Sequence, residues 1–391
     1  IKLLSRAIKQ PQCRPSALFQ MGHALRDAGE IIKAEEVYSK YFSIIQSHDA
    51  AITYSDVLIR LLKYDKANDV LTFAMTKKPK DIKTLSMLAQ TYEYQGYKEK
   101  SSSIRASLIK IKESNREDNY IKSAAFIDLG FFDRGFKNAD KYLNSLYGND
   151  LVNSINQYRK ETLSSLNGVL PEKNKQSPFL LVSCDLKYYK AHIDSLINSL
   201  KKKSNDLELH VHLMLNEDVS MNNVKNNILH HTLTWEVDKY ANQTRFASRR
   251  YSIIPQLLKK TNRSVIVIDI DSLINNNIIR AINNLPPFDV AMYHRQHEIF
   301  INQRVAAGIS IFSNSESSYK IANAIAAYID YFEKKKDEKW FIDQMAMLVI
   351  KYFYSQKKEL RIINLPEYFL DWKNYNKNSI IWTSKGEKKY F

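Results

Sequence analysis

Residues 264–274 read SVIVIDIDSLI, and five of the six from Val265 to Ile270 are β-branched. A run of that kind suits a strand buried on both faces, as in a parallel sheet covered by helices. It breaks at paired acids and not at a turn glycine, so a strand is expected over residues 264–270 with Asp269 and Asp271 at its carboxyl end. Alternate side chains of an extended chain share a side, which sends the two aspartates one way and Ile270 back toward the core. Two carboxylates there are half of a site for a hard cation. Mg²⁺ or Mn²⁺ takes one or two protein carboxylates and completes its shell with water and substrate phosphate oxygens. An isolated pair of this kind equally serves to cap a following helix, so its neighbours decide.

Outward from this stretch, strand and helix patterns alternate. Residues 178–184 (PFLLVSC) form a short apolar strand that ends at Asp185, residues 188–202 an amphipathic helix, and residues 207–215 (LELHVHLML) an alternating strand. Residues 247–260 read as helix around Pro255, and residues 289–293 and 309–312 as two more short strands. Such a succession calls for a mainly parallel sheet with helices on both faces and ligands at the carboxyl ends of its strands. Asp185 and the Asp269/Asp271 pair both lie at such ends, two acidic positions on one rim.

The order of these pieces resembles the GT-A fold of nucleotide-sugar glycosyltransferases, most closely the family 8 type. The pieces are Cys184-Asp185-Leu186-Lys187-Tyr188, a helix with Ser199-Leu200, Arg250-Tyr251 ahead of Pro255 and Leu257-Leu258, and then Val265 to Asp271. Ala307-Gly308-Ile309 with Phe312 is similar to the strand after the metal site, and Trp340-Phe341-Ile342-Asp343-Gln344 to the family's Asp-Gln segment. The resemblance spans nearly all of residues 178–391. It implies that Asp269 and Asp271 bind Mn²⁺ or Mg²⁺ bridging the diphosphate of a nucleoside-diphosphate sugar. Asp185 and Tyr188 then lie against base and ribose, and Arg250, with Arg249 less directly, against phosphate or sugar. Gly308 leaves room for sugar or acceptor, Asp343 and Gln344 are the catalytic pair beside the donor sugar, and Lys385 and Lys388 close over the diphosphate. The family's closing segment usually adds a histidine to the metal. Here it reads Ile381-Trp382-Thr383-Ser384-Lys385 with none, which leaves a smaller ligand set, a lysine substituting for charge, or a degenerate site.

In such a transfer the anomeric C–O bond breaks through an oxocarbenium-like state while negative charge grows on the departing diphosphate, so cationic stabilisation of the leaving group is the larger catalytic contribution. An inverting enzyme also needs a base, for which Asp343 is the candidate. The resemblance implies retention, with Gln344 near the sugar face. An Asp-Gln pair also serves simply to satisfy a buried loop.

Residues 1–165 are poor in Gly and Pro and carry a repeat of 33 to 34 residues that brings Ala34, Ala67, Ser101 and Gly135 into register. Around these, Gly22, Ala24, Leu25, Gly29 and Tyr38 open the series. Tyr64, Leu71, Ala74 and Pro79 follow, then Ala89, Tyr92, Gly96 and Tyr97, and a weaker fourth unit has Gly130, Ala139 and Tyr142. The pattern resembles the tetratricopeptide repeat, an α-solenoid of stacked helical hairpins whose groove binds a peptide or protein. The array either binds a partner or merely supports the second domain. Gly148, Gly168, Pro171 and the polar run 172–177 suggest a final helix and then a linker over residues 166–177, with the GT-A-like domain at 178–391.

The 391 residues carry a formal charge of +16, which favours anionic partners: phosphorylated substrates, nucleic acid, or peripheral contact with the anionic inner face of a membrane. Two cysteines exclude a disulfide framework, and the absence of a signal-like or membrane-spanning stretch sets a cytoplasmic expectation. No nucleic-acid motif accompanies the charge, so a specific nucleic-acid partner is not expected. Two rivals stand beside the transferase: a haloacid dehalogenase-like phosphatase, with Asp269 as nucleophile and Asp271 as acid, and a non-catalytic repeat scaffold. Against the phosphatase, that motif belongs on the first strand of its domain, whereas some 90 residues of α/β pattern precede it here.

Overall fold

A helical hairpin bends most cheaply at a residue that tolerates positive φ, and the repeat's glycines sit at those bends. The computed structural model describes residues 14–158, 166–217, 231–355, 360–372 and 376–383. They form two compact units, Ile1–Ala139 with His297–Ile301, and Asp140–Gln296 with Asn302–Phe391.

In the first unit four hairpins follow one another: α1 (Pro15–Asp27) with α2 (Ile31–Ile45), α3 (His48–Arg60) with α4 (Tyr64–Lys77), α5 (Ile82–Tyr94) with α6 (Lys98–Leu108), and α7 (Arg116–Asp128) with α8 (Phe132–Ala139). Three bend at Gly29, Gly96 and Gly130, with φ of 81°, 82° and 83°. The second bends at Leu62, φ 59°, using the same cap: Leu62 N–H donates to Ile59 O and Lys63 N–H to Leu58 O, as Gly96 and Tyr97 do to Glu93 and Tyr92. Ser47, Asp81 and Asn115 cap α3, α5 and α7 by accepting from the N–H three residues on. The small residues in register are all buried and permit close approach. A Cβ on Gly135 would lie 2.9 Å from Ser123 O, and one on Gly22 would lie 2.5 Å from the Tyr38 ring. The unit is therefore the expected tetratricopeptide-like array. Ile299, in the segment His297–Ile301, packs with Leu71, Met87 and Leu88 of this unit, and Gln90 donates to His297 O at 2.8 Å.

The second unit begins earlier than the composition suggests. α9 (Asn149–Tyr158) belongs to it, its Ser154 hydroxyl donating to Ala327 O of a later helix at 3.0 Å. The division thus falls at residue 139, not 165. The stretch read as a linker is built in: β1 (Asn167–Gly168) pairs antiparallel with a strand of the main sheet. Fully buried Arg263 also holds the carbonyls of Glu172, Ser177 and Pro178 together with the Glu208 carboxylate.

The elements continue as β2 (Phe179–Asp185), α10 (Leu186–Lys203), β3 (Glu208–Leu215), β4 (Thr232–Val237), α11 (Gln243–Ser252), α12 (Ile254–Thr261) and β5 (Val265–Ile268). Then come β6 (Ser272–Ile274), α13 (Ile278–Asn283), β7 (Val290–His294), β8 (Val305–Phe312), α14 (Glu316–Lys334), α15 (Ile342–Ser355), β9 (Ile362–Asn364), β10 (Leu370–Asp371) and β11 (Ile381–Thr383). The main sheet has the order β1-β4-β3-β2-β5-β8-β7-β9. All its strands run one way except β1 and β8, so it is mainly parallel as expected, with apolar faces covered by helices.

Two local expectations change. The helix read over residues 247–260 divides at Ile253, because Pro255 has no N–H to continue the ladder and instead opens α12. The strand read over residues 264–270 leaves the main sheet after Ile268, and residues 269–272 form a turn closed by Ser272 N–H donating to Asp269 O at 3.2 Å. The chain then enters a small sheet, β10-β11-β6, in which Ser272 pairs with Thr383. No helix among the described residues is long and apolar enough to cross a membrane.

Candidate functional site

Five consecutive alternations of burial run through the turn: Asp269 half-buried, Ile270 buried, Asp271 half-buried, and so on to Ile274. The expected separation of acids from core therefore survives, although a turn and not a strand produces it. Beside it, β2 ends at Asp185, whose carboxylate accepts from Tyr188 N–H at 2.7 Å and so starts α10. That cap fixes the first turn of the helix, and from it the Tyr188 hydroxyl reaches Asp271 Oδ2 at 3.3 Å. Asp185 and Tyr188 thus stand next to the aspartate pair, with Asp185 in a capping role.

Arg250 comes from the last turn of α11 and is buried. Its Nη1 donates to Asp269 Oδ1, and its Nη2 lies 3.5 Å from Asp343 Oδ2. Burial works against the charge of the guanidinium, but Asp269, Tyr251 and Asp343 outweigh it and hold its pKa above the ordinary arginine value. Asp343, buried at the start of α15, has its carboxyl pushed up by burial, with Arg250 and the N–H of Gln344 opposing. One guanidinium thus joins Asp269, expected from sequence at the metal site, to Asp343, expected there as the catalytic carboxylate. Tyr251 steadies the facing strand, its hydroxyl donating to Ala307 O at 2.9 Å. Gly308 follows there. A Cβ on Gly308 would lie 3.0 Å from a Leu370 methyl and 3.2 Å from Asp269 Oδ2, so the space it leaves is filled by these two groups and not by an open channel.

Gln344 points elsewhere. With its NH₂ turned toward acceptors it donates to Asn302 O at 2.7 Å and Val305 O at 2.8 Å, which is the loop-satisfying arrangement. Arg249, grouped with Arg250 in the sequence, is instead clasped by Glu236 through both carboxylate oxygens, and His212 backs that carboxylate at 3.4 Å. Burial raises the Glu236 pKa, but His212 and Arg249 outweigh it and take it down to about 2. Sequence reading missed Glu236 because β4 carries too short an apolar run to stand out; its register beside Met214 and Asp185 is a property of the sheet. Lys385 and Lys388 lie outside the described residues; the last described position, Thr383, is opposite Ser272.

Arg250 thus joins Asp269, after β5, to Asp343 of α15, while Tyr188 joins Asp271 to the helix that Asp185 caps at the end of β2. Of these, Asp269 and Asp271 are the half-buried pair that could hold one hard divalent cation, with water and phosphate filling the rest of its shell. Among the described residues no group of three or more His, Cys, Asp or Glu is placed to hold a metal by itself. A separate concavity of about 660 Å³, lined by Lys173, Asn174, Lys259, Asn262 and Asn314 among others, lies at the opposite end of β5 and contains none of these residues.

No protein-family model matches the chain, and no curated protein sequence matches it. Among solved structures it is similar to the apo form of the glycosyltransferase GlyE of Streptococcus pneumoniae TIGR4, at 13% identity and TM-score 0.38, covering 55% of each chain. It is also similar to the bifunctional glycosyltransferase WbbM, at 15% identity and TM-score 0.38, covering 76% of this chain and 60% of that one. A third is TTC0263, a thermophilic TPR protein of Thermus thermophilus, at 17% identity and TM-score 0.31, covering 37% of this chain and 80% of that one. The chain therefore spans little more than half the length of either glycosyltransferase structure.

Proposed function

We propose that the α/β unit is a metal-dependent glycosyltransferase that moves a sugar from a nucleoside-diphosphate donor to a glycan or protein acceptor. The observation that carries this reading is the Arg250 bridge between Asp269 and Asp343, set beside the Tyr188–Asp271 contact on one rim of the sheet. In this reading Asp269 and Asp271 hold Mn²⁺ or Mg²⁺, which supplies neutralisation of the diphosphate as it leaves. Tyr188 offers a ring to the base, and Asp185 keeps that ring in place by capping its helix. Arg250 fixes the rotamer of Asp269 and lends positive charge to the donor side, while Lys385 and Lys388 add to it from the closing segment. Asp343, buried and with a raised pKa, can keep a proton longer than an ordinary carboxyl, and in this reading it orients the acceptor hydroxyl. Retention fits this set best, because the one candidate base is occupied by a guanidinium. Gln344 acts by holding the 302–305 loop. The helical array recruits the acceptor or a protein partner through its groove, and the site works on the cytoplasmic side.

The phosphatase reading fits poorly, since Asp269 as nucleophile is tied up by Arg250 and follows the fifth strand of the sheet in chain order. The scaffold reading draws on the same ion pair, which satisfies part of the Asp269 charge without any cation. A thermal-shift screen of uridine, guanosine, cytidine and adenosine diphosphate sugars with Mn²⁺ separates the two. A ligand that binds the native state alone at about 100 times its Kd adds about 2.7 kcal/mol. The expected result is stabilisation by one donor class that needs the metal and is lost in the Asp269→Asn/Asp271→Asn variant. No metal-dependent shift with any donor leaves the scaffold.

A further inference from the structure

Large aromatic side chains are normally covered, because each removes much apolar surface from water. Among the described residues of the α/β unit the two most exposed rings are Tyr240, 73% exposed, and Trp340, 52% exposed, ahead of Tyr368. They belong to different loops, Tyr240 following β4 and Trp340 preceding α15, yet the loops are tied together. Glu338 Oε1 accepts from Asn242 Nδ2 at 3.1 Å and from Arg245 Nε at 2.7 Å, and Arg245 Nη1 donates to Asp238 at 2.9 Å. From behind, Asn144 donates to Asp337 O at 2.6 Å and accepts from Lys339 N–H. Lys336 and Phe341, on either side of Trp340, hold left-handed backbone at φ 54° and 77°, which non-glycine residues adopt when their surroundings impose it. The loops are thus fastened in place with both rings turned to water, an arrangement that lowers the ordering cost of binding.

The exposed charge around the rings is mainly positive. Lys336 Nζ lies 5.1 Å from the Tyr240 ring centre, Lys335 Nζ 3.9 Å from that of Tyr331, and Lys239 is exposed beside Tyr240. The nearest carboxylates, Asp238 and Glu338, are both taken by Arg245, which leaves Asp337 as the exposed acid of the pair of loops. In the chain, Trp340 precedes Asp343 by three residues and Tyr240 precedes α11, whose last turn carries Arg250.

We propose that Tyr240 and Trp340 form an acceptor subsite for an acidic glycan, a deepening that rests on the transferase reading. The apolar C–H face of a sugar ring stacks on each aromatic face, and Lys239, Lys335 and Lys336 pair with carboxylate or phosphate substituents of the same chain. A membrane is the weaker occupant, since two rings on charged loops do not make the continuous apolar strip that an interfacial anchor inserts.

The test is calorimetric titration of the full chain, without metal or donor, against oligogalacturonate, neutral malto-oligosaccharide, and vesicles of phosphatidylglycerol and phosphatidylcholine. Oligogalacturonate is expected to bind about tenfold or more tightly than the neutral chain, and Trp340→Ala and Tyr240→Ala to weaken it each by about tenfold, comparable to the loss of one stacked ring. Lys336→Gln is expected to reduce the salt dependence. Absence of oligogalacturonate binding, unchanged binding in Trp340→Ala, or binding of the vesicles in its place overturns the subsite. Because donor and metal are left out, these outcomes stand apart from the thermal-shift screen: loss of the donor effect defeats the transferase reading, while loss of glycan binding with the donor effect intact defeats the platform alone.

Discussion

The two units bury charge to different extents. In the helical unit pairs such as Lys83–Glu117 and Lys78–Asp49 lie at the surface, Arg105 is buried between Glu93 and Asp128, and most of the interior is assembled from apolar side chains and small residues recurring at one period. In the α/β unit arginines go inside: Arg250 between two aspartates, Arg263 among carbonyls, Arg249 against Glu236. Surface pairs are worth little, whereas removing one partner of a buried set leaves a charge that nothing compensates. Shape therefore does most of the holding in the first unit, with Arg105 as a buried exception, whereas the second relies near its rim on several buried arginines.

Four substitutions sharpen that contrast. Arg250→Leu should have the largest effect, costing about 3–5 kcal/mol in urea unfolding as Asp269 and Asp343 lose their shared cation. Adding Asp343→Asn to it should recover part of the loss, and a cost below about 1 kcal/mol would show that the trio does not hold this rim together. Gly135→Ala tests shape. Its new methyl meets Ser123 O at 2.9 Å and Ile127 at 2.7 Å, so the close approach of α7 and α8 has to open. We expect a loss of about 1–2 kcal/mol by thermal unfolding despite the better helix propensity of alanine. The smallest effect carries the opposite sign. Leu62 is exposed and occupies the left-handed position where the other hairpins place glycine, so Leu62→Gly should gain up to about 1 kcal/mol. A loss there would mean that the Leu62 side chain contributes packing that its exposure conceals.

Much of the helical unit was legible because its constraint is local: Gly29, Gly96 and Gly130 mark bends, and Ala34, Ala67, Ser101 and Gly135 mark close approaches. The bend at Leu62 was not, since the cap's hydrogen bonds are backbone to backbone and impose a conformation without naming a residue. In the α/β unit the strand at 265–268 and the acids after it were visible from β-branching and its abrupt end. The allegiance of α9 was hidden, because an amphipathic helix carries the same pattern whichever core it covers. Adjacent arginines likewise look equivalent in a sequence. Successive residues of a helix face about 100° apart, so Arg249 and Arg250 turn to Glu236 and to Asp269 respectively, and one becomes support while the other enters the site.

Arg263 has a practical bearing on how the molecule can be shortened. Its guanidinium is sealed from water, and two of its acceptors, the carbonyls of Glu172 and Ser177, come from chain that composition alone marks as dispensable. A truncated protein starting at residue 178 would strip those oxygens away and strand the cation beside Glu208. Protease trimming or recombinant subdivision that aims to preserve the sheet therefore has to spare the segment upstream of β2, however loop-like its letters look.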